Sequence, residues 1–213
     1  MDTKEFLDSC ATVGALRFPR WEELPEFDLY MDQVIALAEK YLSALSPDNK
    51  ELITPSMINN YVKSGVLPPP KNKKYNRSHL ALLMIICSTK SVLEISTISD
   101  IVNNIIQKSD IEHVLDSFAE MYENSISAAA KKAGAVCAVS DSEDVLSVIA
   151  IENALNASAA RTVALYAYKG NKAADSEPEK EDKKSEKKSK KTKKQPAAAE
   201  EGHSDTSDVQ ENQ

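Results

Sequence analysis

Between Leu52 and Leu93 the chain has no aspartate and no glutamate, although 33 of its 213 residues are acidic and the formal net charge is −7. Chance rarely leaves 42 residues free of acid at that composition. The stretch carries Lys63, Lys71, Lys73, Lys74, Arg77 and Lys90 instead. A partner that carboxylates would repel is therefore expected there, and a phosphate backbone is the commonest one. Glycine is scarce (five), and alternating β-branched runs are few, which argues against a β fold and for a mostly α one. The three cysteines, Cys10, Cys87 and Cys137, form no C-x-x-C pair and lie near no histidine pair, so neither a metal site nor a disulfide framework is expected.

Other absences narrow the function. No apolar run approaches the ~20 residues needed to cross a bilayer. The start, Met1-Asp2-Thr3-Lys4-Glu5, lacks the basic and apolar segments of a signal peptide. A cytoplasmic protein without a membrane partner is expected. Neither G-x-x-x-x-G-K-[ST] nor G-x-G-x-x-G occurs, and no Cys-His-Asp set or carboxylate pair can be placed around a pocket. The residues ask for no cofactor and no metal, and an enzyme is not expected. Of the three histidines, His79 lies where it could touch a phosphate.

Within the acid-free stretch the punctuation is dense. Thr54-Pro55 reads as an N-cap followed by proline at the first helical position, where its missing N–H costs nothing. Ile58, Tyr61 and Val62 give a short apolar stripe at helical spacing, and Ser56, Asn59, Asn60 and Lys63 project from the other side. Gly65 stops this helix of residues 55–64, and Pro68-Pro69-Pro70 holds the next segment extended. Lys71-Asn72-Lys73-Lys74-Tyr75 then makes a basic tongue. Asn76 or Ser78 caps a helix whose run Leu80–Cys87 is apolar on every side and so buried.

These residues carry a resemblance. MINNYVKSGVLPPP followed by KKYNRSHLALLMII, with a further amphipathic helix after it, resembles the MerR-type winged helix-turn-helix. Tyr61, Gly65, Val66, Leu67, Pro68, Tyr75, Leu80 and Leu83 match its frame. The wider strings PRWEELPEFDLYMDQV and ITPSMINNYVKSGVLPPPKNKKY are similar to a bacterial family known as domain of unknown function 1836. The resemblance spans roughly Pro19–Ile106. It implies a recognition helix and a basic wing that bind double-stranded DNA, as in a transcriptional regulator. Asn59 stands where the MerR-type frame usually has a basic residue, and the long loop Ser46–Ile53 replaces its tight first turn.

Mapped onto that frame, the residues expected to contact DNA are Thr54, Ser56, Asn59, Asn60, Lys63, Lys71, Lys73, Lys74, Tyr75 and Arg77. The helix would face the major groove, where asparagine can pair bidentately with adenine. The wing lysines would grip phosphates without reading sequence. Tyr75 and Arg77 would brace the wing.

Around this unit, residues 1–27 form an N-terminal extension with a weak first helix, and Trp21 and Leu24 plug into the domain. Residues 28–108 form the winged helix-turn-helix domain. Asp28 is expected to cap a helix through Val34, Leu37, Ala38, Tyr41 and Leu45 that Pro47 ends, and Ile95–Gln107 to close the core. Residues 109–170 read as a helical hairpin. Its arms open at the capping boxes Ser109-x-x-Glu112 and Ser140-x-x-Glu143 and end at Gly134 and Gly170. It either mediates a homodimer or completes the globule. Residues 171–213 form a disordered tail, too poor in apolar side chains to offset the cost of ordering. Lys183–Lys194 holds eight lysines in twelve residues, either a solvated run or an arm for nucleic acid. A protein–protein adaptor on the same scaffold remains the alternative to DNA binding.

Overall fold

In the computed structural model of the chain, residues 1–43, 51–140 and 142–175 are described, side chains through residue 172. Among the described residues seven α-helices follow in order: α1 Thr3–Gly14, α2 Met31–Leu42, α3 Pro55–Lys63, α4 Arg77–Thr89, α5 Ile95–Ile106, α6 Ile111–Val139 and α7 Val145–Asp175. Met1–Lys169 make one unit and Gly170–Gln213 another.

The central element is α4. Every residue from His79 to Cys87 is buried, as its unbroken apolar run requires. Around it pack Val34, Ala38 and Leu42 of α2, Ile58 and Tyr61 of α3, Ile98 and Val102 of α5, and Leu115 and Ala119 of α6. Phe18, Leu24 and Leu29, from the segment before α2, complete this core. Burial of each such leucine or isoleucine stabilises the fold by about 1.5–3 kcal/mol. A smaller core sits at the far end of α6, where Ala133, Cys137, Val145 and Ile149 meet Phe6, Leu7 and Cys10 of α1. Helix α1 approaches α6 closely there. A Cβ added at Gly14 would lie 3.2 Å from the Cβ of Ala130.

Several expected boundaries move. Asp28 does not cap α2; the helix starts after Tyr30, whose N–H is taken by the Gln33 carboxamide at 2.9 Å. The expected stop at Pro47 lies outside the described residues. Neither expected capping box forms. Helix α6 begins after Asp110, which makes no side-chain cap, so Ser109 and Glu112 do not reciprocate. Helix α7 begins at Val145, beyond Glu143, with Ser140 and Ser142 engaged in local turn bonds. Helix α6 runs through Gly134 to Val139, and α7 runs through Gly170 to Asp175. A helical glycine costs only about 1 kcal/mol relative to alanine, and the helix formers around each outweigh it. The lysine-rich tail falls outside the described residues.

The expected β wing does not form. Among the described residues there is no strand, only two isolated bridges, Lys71 with Lys74 and Leu29 with Tyr75. The physical reason lies in the sequence: three prolines just before the tongue supply no N–H donors, and a five-residue tongue offers room for one pair across a turn.

Candidate nucleic-acid interface

Helix α3 begins as its sequence dictates. The Thr54 hydroxyl accepts the Met57 N–H at 3.2 Å, Pro55 occupies the first turn, and Gly65 takes a left-handed φ of 74° just past the end. The chain then folds back, with the Val66 and Leu67 N–H groups both donating to the Tyr61 carbonyl. This return seats Val66 and Leu67 in the core, and Tyr61 with them. Burial pushes the Tyr61 phenol up to about 12.

The opposite side of α3 stays in solvent. Ser56, Asn59, Asn60 and Lys63 are exposed, and among the described residues their side chains make no hydrogen bond or ion pair. They are therefore available to a partner. Thr54, by contrast, is committed to capping and only half-exposed.

The tongue is a two-residue turn. Lys71 and Lys74 exchange both backbone hydrogen bonds, at 3.1 and 3.0 Å, and the central residues Asn72 and Lys73 have φ of 53° and 62°. Two successive left-handed residues are the signature of a type I′ hairpin turn. One residue further on, Tyr75 and Leu29 exchange a second such pair at 2.8 Å each way, which staples the tongue to the segment leading into α2. Lys71 and Lys73 are exposed at the turn, and the Lys74 ammonium lies 5.2 Å from the centre of the Tyr30 ring.

Two residues of the expected contact set, Tyr75 and Arg77, are withdrawn from the surface, and so is His79. Tyr75 is buried, edge-on to His79 at 5.5 Å between ring centres, and burial raises its phenol above the usual range. It braces the tongue and does not face a partner. Arg77 is spent inside the protein as well. Its guanidinium stacks 5.1 Å from the Trp21 ring centre, bonds the Pro25 carbonyl at 3.4 Å and pairs with Glu26 at 3.3 Å. His79 is buried, not poised for a phosphate. Its Nδ1 lies against Asn76, whose carboxamide caps α4, and its Nε2 has no hydrogen-bond partner among the described residues. Burial lowers its pKa, and the nearby backbone of Pro69 and Pro68 and the Asp28 carboxylate oppose this only in part.

Lys90, the last cation of the acid-free stretch, turns inward to the Leu52 carbonyl and, at 3.6 Å, the Met57 sulfur, tying α4 to the start of α3. Spacing alone does not separate such a lysine from the free ones. The inward commitments of Arg77 and Lys90 leave Lys63, Lys71 and Lys73 as the fully exposed cations of the stretch, with Lys74 half-covered. Among the described residues no group of three or more histidine, cysteine or acidic side chains could hold a metal ion.

The scaffold is thus helical, with a short polar helix and a basic hairpin turn projecting from a core centred on α4. The chain belongs to the DUF1836 family, a domain of unknown function, whose sequence profile matches residues 19–125. No curated protein and no solved structure matches the chain. Among the described residues, no helix is long and apolar enough to cross a membrane.

Proposed function

We propose that the protein is a DNA-binding transcriptional regulator of the MerR-like helix-turn-helix type, acting as a homodimer. Helix α2 is the supporting helix and α3 the recognition helix, with Ser56, Asn59, Asn60 and Lys63 presented to the major groove. The turn at Lys71, Lys73 and Lys74 stands where a wing would and grips the phosphate backbone. One observation carries this proposal: in an acidic protein, the surface of residues 52–93 offers uncommitted lysines and asparagines and not one carboxylate. Electrostatics of that kind supplies most of the affinity for a duplex, while side chains on the helix supply discrimination of about 1–3 kcal/mol per good base contact.

The test is fluorescence anisotropy of the full chain on fragments of the host genome at two salt concentrations. Binding weakens at the higher salt, and the double change Lys73→Glu with Lys74→Glu abolishes it while the circular dichroism spectrum stays unchanged. Affinity indifferent to both salt and the double change would overturn the proposal. It would leave the protein–protein adaptor, which the acidity of the rest of the chain favours.

A further inference from the structure

Between α4, α5 and α6 lies a cavity of about 330 Å³, a size at which small-molecule sites begin. Ile85, Ile98, Val102 and Phe118 form its inner wall. Ile105 and Met121, 42% and 62% exposed, stand at its mouth. Water is a poor occupant of the inner part, because an ordered water needs polar partners and these side chains offer none. A helix of another chain is too large. At a diameter of ~10 Å, two helical turns displace on the order of 800 Å³.

The uncommitted polar groups of this cavity gather on one edge. Ser109 sits at the corner between α5 and α6, and His113 and Ser117 lie one turn apart on α6. Among the described residues their side chains make no hydrogen bond or ion pair. A hydroxyl and an imidazole can each donate and accept, so this edge can hold a ligand's polar group. No lysine, arginine, aspartate or glutamate lines the cavity. A charged ligand would therefore give up its hydration for no counter-charge. A second cavity of about 330 Å³, between α1, α6 and α7, lacks such an edge. There the Ser9 hydroxyl donates to the Glu5 carbonyl at 2.8 Å and the Asn153 amide to the Ile149 carbonyl at 2.8 Å, so both are spent on their own helices.

We infer that the cavity between α4, α5 and α6 is a binding site for an uncharged, mainly apolar small molecule that carries a hydroxyl or carbonyl group on one edge. The apolar body lies against Ile98, Val102 and Phe118, and the polar edge meets Ser109, His113 and Ser117. The site falls within residues 85–121, inside the domain that defines the family. It uses none of the surface of α3 or of the tongue, so it stands independently of DNA binding.

Fluorescence titration of the full chain with N-phenyl-1-naphthylamine, an uncharged probe that brightens in apolar surroundings, tests it. One probe binds per chain, saturably and at micromolar concentration. Anilinonaphthalenesulfonate, the same skeleton with a sulfonate added, binds at least tenfold more weakly. Ile105→Trp closes the mouth from an exposed position and Ser117→Phe fills the interior. Each lowers the probe's affinity at least tenfold with helicity unchanged, whereas Ala150→Trp, in the second cavity, leaves it intact. Naphthol displaces the probe at least fivefold more effectively than naphthalene, and His113→Phe with Ser117→Ala abolishes that preference. Absence of saturable binding, or equal affinity for the sulfonate, would overturn the inference. So would binding indifferent to Ile105→Trp and Ser117→Phe, binding lost with Ala150→Trp, or equal displacement by naphthol and naphthalene.

Discussion

Arg20 and Glu123 form a bidentate pair, with Nη1 donating to Oε1 at 3.0 Å and Nη2 to Oε2 at 2.7 Å, 103 residues apart in sequence. The same carboxylate accepts the Phe18 N–H at 2.8 Å, and Asp116, two turns earlier on α6, accepts that of Trp21 at 2.8 Å. Two side chains of α6 thus satisfy backbone donors of the segment that carries Phe18, Trp21 and Leu24 into the core. Both partners of the ion pair fall inside residues 19–125, near opposite ends of the family's domain, so the pair closes the domain on itself.

Glu123→Ala therefore removes a geometrically ideal pair that is only about a quarter exposed and leaves the Phe18 N–H without its acceptor. A loss of about 2 kcal/mol is expected, within the range for charge-assisted bonds and an orphaned donor. Urea denaturation at neutral pH measures it. The bond from Arg20 holds the Glu123 carboxyl below its usual range. A group whose folded pKa is depressed stabilises above its unfolded value and ceases to do so as the pH falls through the folded one. The stability difference between wild type and Glu123→Ala should accordingly shrink in acid below about pH 4.5, the ordinary value of the group.

His79 has the opposite chemistry and the same sign. Its burial disfavours the imidazolium, so the unfolded chain binds a proton more readily than the folded one. Stability is complete above the unfolded pKa of 6.5 and declines as the pH drops below it, until the folded pKa is reached. His79→Phe keeps an aromatic ring against Tyr75 and removes the titration. Thermal melts between pH 7.5 and 5.5 should show a smaller loss for the variant than for wild type; equal slopes would exclude His79 as the source.

The tongue turn holds a lysine in a conformation that suits glycine. A non-glycine residue in the left-handed region costs about 1–2 kcal/mol, and Asn-Gly is the preferred pair at the centre of a type I′ turn. Lys73→Gly is expected to stabilise the fold by roughly 1 kcal/mol while removing one exposed cation, whereas Asn72→Val destabilises it. Chemical denaturation of both variants provides the check. The two variants also separate charge from geometry: under the proposed function, Lys73→Gly is expected to weaken DNA binding without loosening the turn.

What the sequence made legible follows from where local chemistry decides. Thr54-Pro55, Gly65 and the all-apolar run of α4 each specify their structure within a few residues, and there expectation and structure coincide. The ends of α6 and α7 do not. Serine and glutamate at the right spacing are a necessary condition for a capping box, but the register of the two helices is decided by Leu115, Ala119, Val145 and Ile149 fitting against their neighbours. The site divides on the same line. Which side of α3 faces out was legible from its spacing, because burial and helical period fix it. Which cations are free was not, because Trp21, Glu26 and Leu52 claim Arg77 and Lys90 across long stretches of chain.

That division separates two kinds of basic residue by measurement. Arg77→Ala removes a stack on Trp21, a bond to the Pro25 carbonyl and a pair with Glu26, whose own side chain is almost fully in solvent. The exposed partner makes the ion pair worth little. The stack and the packed stem account for most of an expected loss of about 1–2 kcal/mol, or about 3–6 °C in Tm. Lys71→Ala removes an exposed side chain without an intramolecular partner among the described residues, so its Tm should be unchanged. On DNA the order reverses. Lys71→Ala lowers the slope of log affinity against log salt by ~1, the signature of one lost phosphate contact, and does so equally on every sequence. Arg77→Ala leaves that slope where it was. A salt slope that falls with Arg77→Ala and not with Lys71→Ala would reverse the assignment, placing the grip on the duplex at the start of α4 and not at the turn.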